Sequence, residues 1–336
     1  MLNLASGLMA RRAWRVLLGG MALVLLLPGD AWAWGPSTHV LLGSHVLANL
    51  PALPIPVREL LGSWPYEFLY GNLSADITLA KKYVQYSRHC HRWEMGLLLL
   101  ARAETDRLKS FALGYLSHLA ADTLAHNHYV PRQLLVTSST TQFGHAYWEH
   151  RFDAHLPPEH LRRAREIVVR EHDEPDQLLE AVLTQAIFSF RTNKRIFSRM
   201  IHLSNDERWQ GLFDRVVAQS RWDLPEDDVE RYLQTTRHFV MDFLAGGVRS
   251  RAFGLDPIGT ENLALAKKVR RRTIRHSRQD SGRILDLRRY PADVQDMAER
   301  FFALPVCDGS DCPRDEAAGS SVAYWDRFSV EDAIPA

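Results

Sequence analysis

Apolar residues recur along most of this chain at a spacing of three or four positions, which is the spacing of one face of an α-helix. In residues 38–50, for example, Val40, Leu41, Val46 and Leu47 share such a face. The same pattern predicts helices over 75–85, 95–128, 142–155, 159–171, 175–190, 208–219 and 226–245. No convincing run alternates apolar and polar residues as a half-buried strand does. We therefore expect an all-α, multi-helix fold without a sheet.

Local residue chemistry predicts where several of these helices begin and end. Three prolines within 51–56 predict a loop after the first helix, because proline lacks a backbone donor. Ser74 is the expected N-cap of the helix over 75–85. Pro131 is expected to end the long helix over 95–128 at the latest.

The first 33 residues have the pattern of a secretory signal peptide. Three arginines between positions 11 and 15 form a positive region, and an apolar run over 16–27 follows. Ala31-Trp32-Ala33 then has the small-x-small form of a cleavage site. A retained membrane anchor is the alternative, but the apolar run falls short of the roughly 20 residues that a spanning helix needs. We expect cleavage near Ala33 and a periplasmic or secreted protein.

Composition and charge are those of an ordinary globular protein, with 46% hydrophobic and 24% charged residues. Cleavage after Ala33 would remove three arginines and one aspartate, so the formal charge would fall from +1 to −1. A nearly neutral protein has no general electrostatic attraction to nucleic acid. We therefore expect no stable nucleic-acid complex.

The chain is predicted to divide into three parts. After the signal peptide (1–33), a helical domain covers 34–247 and ends at Gly246-Gly247. A basic helical and loop-rich extension covers 248–336. In an oxidising compartment Cys307 and Cys312 could close a small disulfide loop within this extension. Cys90 is the remaining cysteine, and we expect a plain buried thiol there rather than a metal ligand.

The strongest chemical signal is a histidine, an aspartate and a second histidine spaced four residues apart: His118, Asp122 and His126. On an α-helix they lie along one face, and their neighbours are apolar. Imidazoles and a carboxylate on a buried face are costly unless something pairs with them, and zinc binds both kinds of ligand. The alternative is a hydrogen-bonded ladder without metal.

A second motif, His145-x-x-x-Glu149, has the spacing of the helical histidine and carboxylate pairs found in zinc sites. Such a pair is also common on protein surfaces, so its position after the first motif gives it weight. His150 and Asp153 follow closely and are candidates for residues that orient the ligands.

Several weaker candidates precede these motifs. Asp76 and the pair His89 and His91 could belong to a metal site or could be solvated. His39 lies five residues after the expected mature N-terminus. Cleavage would free the α-amino group of Trp34, whose pKa near neutrality makes it a possible metal ligand. The alternative is that Trp34 only anchors the terminus.

The order of these residues resembles that of the zinc-dependent phospholipases C, of the related single-strand-specific fungal zinc nucleases, and of the N-terminal domain of glycosylphosphatidylinositol-specific phospholipase D. The resemblance covers about residues 34–155. It rests on nine positions in the family's order: Trp34, His39, Asp76, His91, His118, Asp122, His126, His145 and Glu149.

The resemblance implies up to three zinc ions. Asp76, His91 and His118 would hold the first. His126, His145 and Glu149 would hold the second. Trp34 and His39 would hold the third, with Asp122 bridging the first and the third.

Two ligand assignments have competitors. The microbial phospholipases and the nucleases place the next histidine six residues after the motif aspartate, where this chain has His128, whereas the phospholipase D relative uses position four, here His126. An uninterrupted helix favours His126, since His128 would turn about 200° away from the ligand face. His89 competes with His91, and we prefer His91 because the bulky Trp93 follows it.

The implied activity is zinc-dependent hydrolysis of a phosphodiester, with Asp76, Asp122 and Glu149 as the catalytic residues. A phospholipid is the expected substrate, with peripheral contact to a membrane, and nothing in the sequence indicates the oligomeric state. The alternatives are a single-strand nuclease or nucleotidase, and a non-enzymatic helical module in which zinc is structural. Trp93, Trp148, Tyr129 and Phe143 near the ligands fit base stacking and lipid contact equally well.

Overall fold

The computed structural model describes residues 34–78, 88–137, 141–183, 188–204, 206, 210–211, 215, 220, 222–281 and 292–305. Within these residues the chain is helical and contains no strand, so the predicted all-α fold is confirmed. The helices are α1 (Pro36–Ala48), α2 (Ile55–Ser63), α3 (Pro65–Ser74), α4 (Trp93–Ala101), α5 (Asp106–Leu124), α6 (Val130–Val136), α7 (Thr141–Asp153), α8 (Pro158–Val168), α9 (Asp173–Val182), α10 (Phe190–Ser204), α11 (Glu226–Gly246), α12 (Thr260–Ser281) and α13 (Ala292–Phe302).

Four predictions fall wholly or largely outside the described residues. The signal peptide over 1–33 and the Cys307–Cys312 pair lie outside them, as do most of the helices predicted over 75–85 and 208–219. In the part of the chain that is described, no helix is both long enough and apolar enough to cross a membrane.

Helix α5 is the centre of the fold. Every residue from Ser110 to Leu124 is buried, although the helix carries few large apolar side chains near its end. Its neighbours are α3, α4 and α11, which pack around it and exclude water from all of its sides. Polar side chains between Ser110 and Leu124 therefore lie in the core of the protein.

Two glycines let α3 and α5 approach closely. A Cβ at Gly71 would lie 2.1 Å from the Phe111 carbonyl oxygen, and one at Gly114 would lie 2.0 Å from the Phe68 carbonyl oxygen. Both contacts are with backbone, which cannot move aside as a flexible side chain can. The crossing is therefore possible only with glycine at both positions.

The prediction of a single helix over 95–128 is wrong, because a short non-helical connection separates α4 from α5. Thr105 is extended and its hydroxyl oxygen accepts a hydrogen bond from the Leu108 amide at 3.2 Å. This N-cap satisfies one of the free amides at the start of α5.

Pro131 does not end the helix as predicted. Residues Ala125–Tyr129 form a π-helical turn after α5, and α6 begins directly after it at Val130. The helical path therefore continues past Pro131. Proline removes the donor that would bind the Asn127 carbonyl oxygen, but the Asn262 side chain donates to that oxygen instead, at 3.2 Å. A partner distant in sequence therefore replaces the missing bond.

The Ser74 N-cap prediction is wrong, and the proline-rich loop is confirmed only in part. Ser74 ends α3, where its hydroxyl donates to the Tyr70 carbonyl oxygen at 2.6 Å. Only a short turn, Ala75–Ile77, follows within the described residues. The proline-rich loop is shorter than expected, since Pro56 and Pro65 lie in the first turns of α2 and α3, where proline is tolerated.

The part of the extension that is described packs onto the helical domain. Helices α12 and α13 contact α6 and the π-helical turn. The boundary proposed at Gly247 stays a prediction.

Candidate metal centre

The central helix delivers two of the candidate ligands from one face. His118 and Asp122 are fully buried on α5, and Nε2 of His118 lies 3.2 Å from Oδ2 of Asp122. His126 follows in the π-helical turn and is 4% exposed. The spacing of four residues thus places the first two side chains together, as predicted.

Three other parts of the chain bring candidate ligands close to Asp122. Nε2 of His39, on α1, lies 3.4 Å from Oδ1 of Asp122. Nε2 of His91, just before α4, lies 3.1 Å from Oδ2 of Asp122 and 3.3 Å from Oδ1 of Asp76. Asp76 comes from the turn after α3. These five buried residues form one cluster around Asp122.

Within this cluster His39 has an unusual environment for a buried histidine. Its Nε2 faces Oδ1 of Asp122 at 3.4 Å, the long end of the hydrogen-bond range, and its Nδ1 has no hydrogen-bond partner among the described residues. Its ring stacks on that of His118 with 3.8 Å between centroids, and burial lowers the pKa of His39, so the imidazole is neutral. A buried polar group without a hydrogen bond is costly, whereas a lone pair that binds zinc would be satisfied.

Asp122 stays ionised in spite of its burial. Burial alone would raise the pKa of this carboxyl group, but the adjacent His118, His39 and His91 hold the pKa well below its usual range. The cluster therefore presents a carboxylate surrounded by imidazoles, which is a donor set that zinc accepts.

The tautomer of His118 is fixed by backbone. Its Nδ1 lies 2.8 Å from the Asn72 carbonyl oxygen, which can only accept, so Nδ1 carries the proton. Nε2 is then unprotonated in the neutral ring and faces Asp122, with Nε2 of His91 at 3.2 Å.

A second group of candidate ligands is formed by the π-helical turn and α7. His126, His145 and Glu149 place ligand atoms within 4.8 Å of one another. Nε2 of His145 is 2.7 Å from Oε1 of Glu149, one turn along α7. Burial lowers the pKa of His126 to about 3 despite the nearby carboxylate of Asp122. His126 is therefore neutral, as a metal ligand must be.

The structure separates the competing histidines. His128 turns away from this group, and its Nδ1 hydrogen-bonds with the Ala303 carbonyl oxygen at 2.8 Å. His91 is 2% exposed and faces Asp76 and Asp122. Nδ1 of His89 instead accepts the backbone amide of His91, at 3.1 Å. His89, Cys90 and His91 also lie close enough together to be a possible ligand group of their own.

The described chain starts at the anchored Trp34. Its indole nitrogen donates to the Ala121 carbonyl oxygen at 3.0 Å, and its ring packs on Tyr129 and Phe152. Since Ala121 precedes Asp122, the anchor holds the start of the described chain beside the cluster. Trp34 as a zinc ligand through its amino group stays a prediction.

Asp153 positions His39 through the backbone of α1. Its carboxylate accepts the amides of Ser37 and Thr38, at 2.9 and 3.2 Å, and the Thr38 hydroxyl at 2.6 Å. The negative charge of Asp153 interacts favourably with the positive N-terminal end of α1, the helix that carries His39. His150, the other predicted orienting residue, follows Glu149 in the chain. Burial lowers the pKa of His150 to about 4.

Two contributors to the site were missed by the sequence. The carbonyl oxygens of Asn72 and Pro257 hold the rings of His118 and His126. Every residue type, proline included, offers the same backbone carbonyl oxygen, so no residue pattern marks such a group.

Comparison with known proteins identifies the family. The model of the family described as zinc dependent phospholipase C matches residues 38–191, a range that contains all of the candidate ligands except Trp34. No curated protein and no solved structure matches the chain.

Proposed function

Because residues 38–191 place this chain in the zinc-dependent phospholipase C family, we propose that it is a phosphodiester hydrolase that cleaves phospholipids in the phospholipase C manner. The observation that carries the proposal is the cluster around Asp122. Three chain segments bury three histidines within 3.4 Å of the Asp122 carboxylate, in a core that stability alone would fill with apolar residues.

The donor set fits zinc. The first position is assigned to Asp76, His91 and His118, and the second to His126, His145 and Glu149. His39 and Trp34 are assigned to a third position, with Asp122 between the first and the third. When bound, zinc would acidify a water molecule and offset negative charge on the phosphate.

The chain's own groups would then orient the reactants. Asp76 is proposed to hold the attacking water and take its proton, because its Oδ1 lies beside Nε2 of His91 at the edge of the cluster. His118 keeps one orientation, since Nδ1 is bound to the Asn72 carbonyl oxygen. Asp122 stays anionic and balances the positive charge of the site.

A phospholipid fits better than a single-stranded nucleic acid. A nuclease for single strands needs exposed aromatic rings on which bases stack. Trp93, Tyr129 and Trp148 are at most 8% exposed and pack within the core, so they offer such a platform to neither bases nor lipid. The nearly neutral charge is what favours the phospholipid.

The test is a hydrolysis assay with purified protein, zinc-loaded or treated with chelator. Phosphatidylcholine, phosphatidylinositol and single-stranded DNA serve as substrates. We expect zinc-dependent release of a phosphorylated head group from a phospholipid. Faster cleavage of DNA would support the nuclease instead. A protein that binds zinc tightly but cleaves none of the three would support a structural role for the metal.

Export is part of the same proposal. Cleavage near Ala33 would leave Trp34 as the first residue, next to the cluster that it is proposed to complete. Mass spectrometry of the protein recovered from the periplasm or the medium should show Trp34 at the N-terminus. A retained segment 1–33 would contradict the amino-group ligand.

A further inference from the structure

A segment far from the family match in sequence lies directly against a candidate ligand. Residues 255–262, here called the 255–262 segment, follow a short turn and include the first residues of α12. They lie beyond the matched range 38–191. They contact the π-helical turn that carries His126.

The first contact orients the His126 ring. Nδ1 of His126 lies 2.5 Å from the Pro257 carbonyl oxygen. Since a carbonyl can only accept, Nδ1 carries the proton, and Nε2 is the nitrogen left to bind a metal. The same device holds His118, but there the carbonyl of Asn72 lies inside the matched range.

Further hydrogen bonds tie the segment to the residue after His126. The Asn127 side chain donates to the Asp256 carbonyl oxygen at 2.8 Å. The Asn262 side chain donates to the carbonyl and side-chain oxygens of Asn127, at 3.2 and 3.0 Å. The bond to the Asn127 carbonyl oxygen replaces the one that Pro131 cannot donate, and the others tie the segment to the π-helical turn.

Gly259 fits the segment closely against His126. It has a φ of +63°, which favours glycine, and a Cβ there would lie 2.3 Å from the His126 carbonyl oxygen. The Asp256 carboxylate fixes this turn by accepting the amides of Ile258 and Thr260, both at 3.0 Å. The turn therefore has one conformation, and it brings the Pro257 carbonyl to the ring.

We propose that the 255–262 segment is a positioning element of the metal centre. It fixes the tautomer and direction of His126 and so sets the zinc affinity of the group formed by His126, His145 and Glu149. The inference rests on the zinc site of the proposed function. It assigns to the C-terminal part of the chain a task in a site whose candidate ligands all lie at or before Glu149.

The test compares two glycine-to-alanine variants of full-length protein. Gly259→Ala should weaken zinc binding at one position about tenfold or more, the usual effect of losing a group that orients a ligand. Gly254→Ala is the matched control, because nothing lies within 4 Å of its added Cβ. Zinc retention is measured by elemental analysis across a chelator titration, and circular dichroism reports folding.

A second variant covers the case in which Gly259→Ala fails to fold. Asn262→Ala removes the bonds to Asn127 without adding atoms, and it should weaken zinc retention several-fold. The inference is overturned if Gly259→Ala folds and retains zinc like wild type. It is equally overturned if Gly259→Ala unfolds while Asn262→Ala retains zinc normally, or if Gly254→Ala loses as much zinc.

The two proposals fail separately in this experiment, because zinc retention is measured without substrate. Wild type that retains zinc but hydrolyses no phosphodiester contradicts only the proposed function. Wild type that hydrolyses phospholipid, with variants that all retain zinc normally, contradicts only the role of the segment.

Discussion

Nε2 of His118 lies 3.2 Å from Oδ2 of Asp122, one turn along the part of α5 that is buried on all sides, Ser110 to Leu124. The geometry follows from the spacing of four residues, which puts two side chains on one face of a helix. What sequence spacing does not supply is the set of partners: His39 and His91 reach the same carboxylate from two other chain segments. Asp122 is thus the common point of the cluster.

The first prediction concerns this carboxylate. Asp122→Asn keeps the size of the side chain but removes its charge and one strong oxygen ligand. Adjacent dications would lose the anion that offsets their repulsion, which is severe at short range in a buried site. The variant should lose at least one equivalent of zinc and nearly all phosphodiesterase activity, as measured by elemental analysis and turnover of a chromogenic phosphodiester.

Asp106→Asn is a matched control for that experiment. Asp106 begins the same helix, and its side chain is exposed and pairs with Lys109. It should keep its zinc and its activity, since a surface ion pair contributes little. If Asp122→Asn kept its full zinc complement and normal turnover, the bridging role would have to be abandoned.

The second prediction uses two histidines that lie two residues apart. His126→Ala should lose the zinc held with His145 and Glu149, and activity should fall at least about tenfold. His128→Ala removes only a hydrogen bond with the Ala303 carbonyl oxygen, which costs about 1 kcal/mol of stability. Zinc content, activity and thermal unfolding are measured on both. Equal losses of zinc would show that the two histidines are not distinguished as the structure indicates.

The third prediction concerns the close crossing of α3 and α5. Gly114→Ala would push its methyl group into the Phe68 carbonyl and separate the helices. The Asn72 carbonyl that holds His118 is on α3, so separation should loosen that ring as well. We expect a loss of about 1–3 kcal/mol in the free energy of unfolding, together with weaker zinc retention.

Gly62→Ala provides the comparison for Gly114→Ala. Gly62 is inside α2, and its added Cβ would make only an ordinary contact with Leu50 at 3.6 Å. Alanine is the better helix former, so this variant should be unchanged or up to about 1 kcal/mol more stable. Urea unfolding gives the free energy of unfolding of both variants. If Gly114→Ala were as stable as wild type, the crossing of α3 and α5 would have space for an added methyl group.

Local pattern predicted the class of fold and which side chains would be candidates. Helical periodicity without alternation led to an all-α fold, and fixed spacing linked His118 with Asp122 and His145 with Glu149. Family order linked these pairs to His39 and Asp76, which no local signal could do. The structure brings His39 and Asp76 to the first of these pairs, and His126 to the second.

The predictions from sequence failed where a hydrogen-bond partner far away in the sequence takes the place of a local one. Pro131 ends a helix only if its missing donor is not compensated, and Asn262 compensates it from 131 positions further along the chain. Ser74 could be an N-cap or could bond to the preceding turn, and in the structure its hydroxyl donates to the Tyr70 carbonyl oxygen of that turn. The Pro257 carbonyl that orients His126 has no side-chain signature at all.

The last prediction concerns acid, and it rests on His172, away from the metal centre. This histidine is 2% exposed, stacks on Tyr70 of α3 at 3.6 Å, and donates from Nε2 to the Ile167 carbonyl oxygen. Burial, and then Lys194, lower its pKa below the ordinary 6.5, with Asp176 and Glu67 opposing. The unfolded chain therefore binds this proton more readily than the folded protein. Stability from neutral His172 is complete above about pH 6.5 and is lost as the pH falls below it.

His172→Phe should remove this contribution while keeping the stack on Tyr70. At pH 7 we expect a loss of up to about 1.5 kcal/mol, because the Ile167 carbonyl loses its donor. Between pH 6.5 and 5 the variant should lose stability less steeply than wild type, by up to about 1.4 kcal/mol per pH unit for one proton. Urea unfolding of zinc-free wild type and variant at each pH measures both slopes, and the other histidines cancel in the difference. Parallel slopes would show that His172 is protonated in the folded protein as easily as in the unfolded chain, and that acid weakens the docking of α3 by another route.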